Sequence, residues 1–124
     1  MTWWEWSLVG VAGAVGAPLR YVFDVLVSER SGSAFPFGTM VVNVSGSFAL
    51  GLITGLVMYH GLPKTAKEVL GTGLIGAYTT FSTFSFETVQ LLEDGEMQGA
   101  LANVAASLVA GGLAAGAGIA LGGL

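Results

Sequence analysis

The chain has 124 residues, of which 53% are hydrophobic and only 10% are charged, four of them basic and eight acidic. Soluble domains carry charge on about a quarter of their residues, so this composition excludes a soluble globular domain. Intrinsic disorder is excluded as well, because disordered chains are poor in apolar residues. The absence of cysteine excludes disulfides and thiolate chemistry, and the net charge of −4 argues against nucleic acid as a partner.

Three long stretches of the chain carry no charge, namely residues 31–63, 69–86 and 97–124. A fourth, residues 6–19, reaches spanning length only if Arg20 and Asp24 lie near a membrane face. A helix crosses the hydrocarbon core with about 20 apolar residues, whereas transmembrane strands show shorter, alternating segments. The sequence therefore predicts an all-α membrane protein with a single domain over residues 1–124. Its four transmembrane helices are predicted near residues 4–26, 37–58, 69–92 and 98–121.

The basic residues do not decide how such a protein is oriented. With four crossings, Lys64 and Lys67 lie on one side of the membrane, and Arg30 and Arg20 lie on or near the other. Because each side has two basic residues, the positive-inside rule does not predict an orientation. Two interpretations stay open: either another feature sets one orientation, or both orientations insert and an upward copy pairs with a downward copy.

The third predicted span is unusually polar for a transmembrane helix. Hydroxyl side chains alternate with phenylalanines over Thr79, Thr80, Phe81, Ser82, Thr83, Phe84, Ser85 and Phe86. Serine and threonine hydroxyls compete for backbone partners in a helix interior, so the pattern predicts a break. Non-helical backbone at membrane depth persists only inside protein or beside a water-filled cavity. The alternative is an intact helix with back-bonded hydroxyls and ordinary phenylalanine packing.

Further polar residues fall within the other predicted spans. Asn43 lies deep in the second span, where an amide must find hydrogen-bond partners or line a wet path. Asn103 and Ser107 are four residues apart and share one helix face; an interhelical hydrogen bond would also explain them. Arg20 either snorkels, pairs with Asp24, or raises the anion concentration at a pore mouth.

No arrangement of residues suggests catalysis, so the sequence predicts that the protein is not an enzyme. It has one histidine and no cysteine, and it lacks the Ser-His-Asp, zinc and phosphate-loop motifs. The polar groups at membrane depth are neutral, whereas proton-coupled carriers rely on buried carboxylates or histidine. Neutral donors and aromatic ring edges, which are positively polarised, suit an anion that sheds its water.

Three segments resemble the Fluc (CrcB-type) fluoride channels, in order and at the right spacing over essentially the whole chain. They are Gly13-Ala-Val-Gly-Ala-Pro-Leu-Arg-Tyr21, Phe37-Gly-Thr-Met-Val-Val-Asn-Val-Ser-Gly46 and Gly76-Ala-Tyr-Thr-Thr-Phe-Ser-Thr-Phe-Ser-Phe-Glu87. The resemblance implies a dual-topology antiparallel homodimer with two fluoride pores, each lined by both subunits. It also implies a broken third helix and a central structural Na⁺.

Site residues follow from the same resemblance. Phe81 and Phe84 would present ring edges to fluoride, Asn43 would donate from its amide, and Ser82 and Thr83 would add hydroxyls. Asn103 and Ser107 match pore positions where the family often has tyrosine and serine, and Arg20 would face the aqueous vestibule. The carbonyls of Gly76 and Thr79, two from each subunit, would hold the Na⁺.

The implied function is a passive, fluoride-selective leak in a prokaryotic plasma membrane. It would export F⁻ from the cytoplasm and confer fluoride resistance. The main alternative is a small dual-topology, proton-coupled multidrug exporter. That mechanism requires a membrane-embedded carboxylate on the first helix, where Glu5 lies too near the end and Asp24 has Arg20 nearby. A second alternative is a membrane scaffold that transports nothing.

Overall fold

All regular elements of the chain are helical in a computed structural model that describes residues 1–124. Helix α1 is Trp3–Ser31, α2 is Phe37–His60, and α3 covers residues 64–78. Helix α4 is Phe81–Glu93 and α5 is Met97–Gly122. The third predicted span consists of α3 and α4, so the expected four helices with a broken third one are confirmed.

Helix α3 is not a uniform α-helix. It begins with the single turn Lys64–Lys67, continues as a π-helix over Glu68–Ile75, and ends with Gly76–Tyr78. A π-helical stretch of this length is uncommon, and such stretches are frequent at functional sites. Gly71 and Gly73 are the buried residues of this stretch.

The first two helices end where a glycine adopts a left-handed conformation. Gly32 follows α1 with φ of 58°, and Gly61 follows α2 with φ of 65°. This conformation costs glycine little because it has no Cβ atom, and it terminates a helix. Helix α1 therefore runs five residues past its predicted end at residue 26, and its last turns carry Glu29 and Arg30 beyond the apolar stretch.

Helices α1, α2 and α5 are each long and apolar enough to cross a membrane. Helix α4 has 13 residues, which at 1.5 Å per residue gives about 20 Å, short of a hydrocarbon core of about 30 Å. The fourth crossing therefore requires α3 and α4 together, with the break between them inside the membrane.

Glycines allow the long helices to approach each other closely. A Cβ atom on Gly51 would meet the carbonyl of Ala115, and one on Gly118 would meet the carbonyl of Phe48, so α2 and α5 are in backbone contact. A Cβ atom on Gly16 would overlap the Leu74 carbonyl in the same way, which places α1 against α3. Small residues bring helices together in lipid, where burial of apolar surface gives no driving force.

Little of the chain is buried within one copy. Only 17 of 124 residues are buried, and the buried large hydrophobic residues are few. Trp3, Trp6 and Leu113 are among the many exposed apolar side chains. A soluble protein does not expose apolar surface on this scale, whereas a protein surrounded by lipid or by a second copy does.

Candidate functional site

The break in the third span lies at Thr79 and Thr80. Both residues have extended backbone, with φ and ψ of −84° and 161° for Thr79 and −150° and 115° for Thr80. The Thr79 amide still donates to the Ile75 carbonyl at 2.9 Å, so Thr80 is the first residue whose amide leaves the helical pattern. The predicted break is thereby confirmed and assigned to two residues.

Asn43 supplies the hydrogen bonds that the break removes. Its Oδ1 accepts from the Thr80 amide at 2.8 Å, and its Nδ2 donates to the Thr80 carbonyl at 2.9 Å. Thr80 is 7% exposed, so water has little access to these backbone groups. An amide side chain has two N–H groups, and Asn43 therefore keeps one of them beyond its bond to Thr80.

The hydroxyl groups of the broken span have two distinct uses. Thr79 bonds back to the Ile75 carbonyl at 3.0 Å, as the intact-helix alternative had suggested for the whole run. Thr80 Oγ1 instead accepts from the Thr83 amide at 3.2 Å and caps α4. The hydroxyls of Thr83 and Ser82 lie 2.9 and 3.3 Å from Thr80 Oγ1.

Phe81 and Phe84 form a tilted aromatic pair on the first turn of α4. Their ring centroids are 5.9 Å apart and the ring planes meet at 45°. Phe81 is 79% exposed, so one copy of the chain leaves most of this ring uncovered. The two rings lie close together on α4, as expected for side chains three residues apart on a helix.

Two cavities meet at the break and share Thr80 in their linings. One, of about 290 Å³, is lined by Asn43, Gly76, Thr79 and Phe81 among others. The second cavity, of about 200 Å³, is lined by Arg20, Asp24, Thr39 and Thr83 among others. The structure thus places Arg20 in the lining of a cavity that shares Thr80 with the Asn43 cavity. The Asp24 carboxylate accepts from the Ser28 hydroxyl at 3.2 Å.

Gly76 and Thr79 line the same cavity as Asn43. The break removes their helical donors, because the Thr79 amide bonds to Ile75 and the Thr80 amide bonds to Asn43. The Thr83 amide, which would serve Thr79 in a continuous helix, bonds to Thr80 Oγ1. Two residues that line the cavity therefore have carbonyl oxygens without their helical donors.

Thr39 is a site residue that was not assigned a role from the sequence. It is 3% exposed, and its hydroxyl donates to a carboxylate oxygen of Glu87. The sequence does contain one indication of its role: Thr39 lies four residues before Asn43, and the two residues therefore share a face of α2. The contact also brings a carboxylate of α4 to the second span, where only neutral polar groups were expected.

Asn103 and Ser107 do not line either cavity. Asn103 is 2% exposed and donates from Nδ2 to the Thr88 hydroxyl at 2.9 Å, within the contact between α4 and α5. Ser107 lies half-buried one turn further along α5. The structure thus separates these two residues from the group formed by Asn43, Thr80 and Phe81.

Three continuous spans and a fourth interrupted at membrane depth define a multi-pass α-helical membrane protein. Residues 7–119 match the family described as "CrcB-like protein, Camphor Resistance (CrcB)". The chain belongs to this CrcB/FluC family, which confirms the resemblance seen in the sequence. It is a membrane protein of a family found in bacteria, and it is not an enzyme.

Curated relatives match over nearly the whole chain. The "Fluoride-specific ion channel FluC 1" of Streptomyces avermitilis is 48% identical over 115 residues, covering 93% of each chain. The protein of that name from Symbiobacterium thermophilum is 47% identical over 120 residues, covering 95% of this chain and 97% of the relative. The one from Leifsonia xyli subsp. xyli is 46% identical over 116 residues, covering 94% and 85%.

Proposed function

We propose that the protein is a passive, fluoride-selective channel of the bacterial plasma membrane that exports F⁻ and confers fluoride resistance. The observation that carries this proposal is the break at Thr79 and Thr80, with Asn43 and the Phe81–Phe84 pair beside it. Relatives that match nearly the full length of the chain are named fluoride-specific ion channels. A small anion is matched by neutral N–H and O–H donors together with positively polarised ring edges.

The channel is proposed to form between two antiparallel copies with two pores. Phe81 is 79% exposed and Phe86 is 67% exposed, so a single copy leaves one side of α4 without protein cover. A second copy shields the extended backbone from lipid, as non-helical segments at membrane depth require. The even distribution of basic residues between the two faces permits both orientations.

Within each pore, Phe81 and Phe84 present ring edges, and the second N–H of Asn43 donates to fluoride. Thr83, Ser82 and Ser107 are the proposed hydroxyl donors along the path. Arg20, which lines the second cavity, raises the local anion concentration in the vestibule. Neutral donors bind the ion without holding it too tightly to leave, as conduction requires.

A structural Na⁺ is proposed at the carbonyls of Gly76 and Thr79. The donor set fits, because both oxygens have lost their helical hydrogen bonds and a hard cation prefers oxygen ligands. Two carbonyls from one copy are too few for the ion, whereas two antiparallel copies provide four. The ion would neutralise the partial charges of these carbonyls and tie the two breaks together.

No energy source is needed for export. Hydrogen fluoride crosses the membrane as the neutral acid and ionises inside the cell. A negative-inside potential then drives F⁻ outward, with about 2.3 kcal/mol for each charge per 100 mV.

The test is fluoride efflux from liposomes that contain the purified protein. We expect rapid F⁻ efflux, no comparable Cl⁻ efflux, and no dependence on a proton gradient. Phe81→Ile should reduce the F⁻ rate strongly. Phe48→Ile is the matched control, because it makes the same change in the membrane on α2, away from the ring pair. Absence of F⁻ efflux with and without a proton gradient would refute the proposal.

The exporter alternative makes the opposite prediction in the same liposomes. Efflux of a cationic drug would require the proton gradient and would be lost in Glu87→Gln, since Glu87 is the carboxylate that the structure brings to the second span. A scaffold that transports nothing would leave the fluoride tolerance of a sensitive bacterial host unchanged in Phe81→Ile and in Asn43→Asp. The channel proposal requires both variants to lower that tolerance.

A further inference from the structure

Asn103 is the most deeply buried polar side chain of the molecule. It is 2% exposed, and only Val42 is buried as completely among the larger side chains. This burial arises within a single copy, so it does not depend on how a second copy binds. A side chain enclosed by its own chain is poorly placed to line a path between two copies.

The environment of Asn103 forms a directed chain of hydrogen bonds from α5 to α4. Asn103 Nδ2 donates to Thr88 Oγ1 at 2.9 Å, and Thr88 Oγ1 donates to the carbonyl of Phe84 at 2.8 Å. Both donors point the same way, so each bond polarises and strengthens the other. The chain ends on the backbone of one of the two paired rings.

This contact lies between two other attachments of α4 to the rest of the chain. At the start of α4, Thr80 is fixed by Asn43, and towards its end Leu91 packs against Gly99 of α5. Between these two attachments, the Asn103–Thr88 bond is the only side-chain hydrogen bond between α4 and α5. Glu87 attaches the same stretch of α4 to Thr39 of α2, so the Asn103–Thr88 bond is what fixes Phe84 relative to α5.

We propose that Asn103 is a positioning residue: through Thr88 it fixes the backbone of Phe84, and it does not itself donate to the conducted ion. This role rests on the proposed channel function, in which Phe84 presents its ring edge to fluoride. It differs from the pore position that the family resemblance implies for residue 103. The short side chain of Asn103 lies within the contact between α4 and α5, and from there its N–H group donates to Thr88.

The first test is a double-mutant cycle on fluoride efflux from liposomes. Thr88→Val and Asn103→Leu each remove the contact while keeping the number and branching of side-chain heavy atoms, and each should lower the efflux rate by roughly fivefold to tenfold. The double variant should be no slower than the slower single variant, because both changes remove one interaction. Thr88→Ser retains the hydroxyl and should keep near wild-type efflux.

Thr54→Val is the matched control for this cycle. Thr54 makes the same bond to the carbonyl four residues earlier, at 2.8 Å to Leu50, but it has no partner on another helix. We expect its efflux rate to stay within about twofold of wild type, because a back-bonded threonine adds little to helix stability. Wild-type efflux in Thr88→Val together with slow efflux in Asn103→Leu would overturn the proposal and return Asn103 to the pore.

A second measurement separates this proposal from the channel function itself. With 4-fluorophenylalanine placed at Phe84, the ¹⁹F resonance should shift or split in Thr88→Val and in Asn103→Leu, and stay unchanged in Thr88→Ser and Thr54→Val. If the resonance shifts as expected but the wild-type protein gives no fluoride efflux, the channel function is refuted while the positioning of Phe84 by Asn103 still holds. An unchanged resonance in both Thr88→Val and Asn103→Leu would refute the positioning, whatever the efflux.

Discussion

Replacing Asn43 by leucine tests the physical reason for the break. Leucine has the same number and branching of side-chain heavy atoms as asparagine but no polar atoms, so the amide and carbonyl of Thr80 lose their partners together. An unsatisfied buried group costs about 1–3 kcal/mol, which predicts a loss of about 2–6 kcal/mol for the two groups. The adjoining cavity of about 290 Å³ admits some water, which favours the lower half of this range.

The measurement is thermal or denaturant unfolding of the purified protein in detergent, which does not depend on ion conduction. Asn43→Asp provides a graded comparison, because it retains an acceptor for the Thr80 amide but has no donor for the Thr80 carbonyl. The expected order of stability is therefore wild type, then Asn43→Asp, then Asn43→Leu. Thr54→Val controls for the loss of a single helical side-chain bond. Equal stability of Asn43→Leu and Thr54→Val would refute the reasoning.

Three further predictions concern packing and capping, and unfolding in detergent checks each of them. Gly16→Ala should destabilise the protein by about 1–3 kcal/mol, because the added methyl group meets the backbone of α3. Gly10→Ala is its control: the added methyl group faces open space, so the change should be neutral or mildly stabilising. Gly118→Ala should likewise weaken the contact of α5 with α2, and Gly112→Ala should not; equal effects would contradict the glycine argument. Thr80→Val should cost about 1 kcal/mol through the lost cap of α4, while Thr80→Ser should cost less, and the reverse order would be a contradiction.

The sequence predicts the spans well because charge and apolar length are properties of each segment alone. Helix α2 begins at its predicted residue, and α5 begins and ends within a residue of its predicted limits. The break was predictable for a similar reason, since a local run of hydroxyl residues disfavours a continuous helix. The π-helix over Glu68–Ile75 was not predictable, because apolar residues and glycines without a polar face give no periodic signal.

The hydrogen-bond partners of the polar residues could not be predicted from the sequence. Local chemistry shows that Asn43 must find hydrogen bonds, but it does not identify Thr80, which lies 37 residues away. The bonds of Thr39 to Glu87 and of Asn103 to Thr88 also depend on how helices face each other. Burial distinguishes Asn43, which lines a cavity, from Asn103, which does not, although both are amides in predicted spans.

Two features of the break require protein on the side that this chain leaves open. Helix α4 is too short to cross the bilayer alone, and its exposed Phe81 and Phe86 face away from the rest of the chain. The carbonyls of Gly76 and Thr79 have lost their helical donors, and lipid offers none in their place. The proposed second antiparallel copy would meet both requirements, since it would cover the exposed side of α4 and add two carbonyls of its own. In that proposed assembly, the polar groups that would otherwise make the break costly in lipid would serve as ligands of a cation and as walls of an anion path.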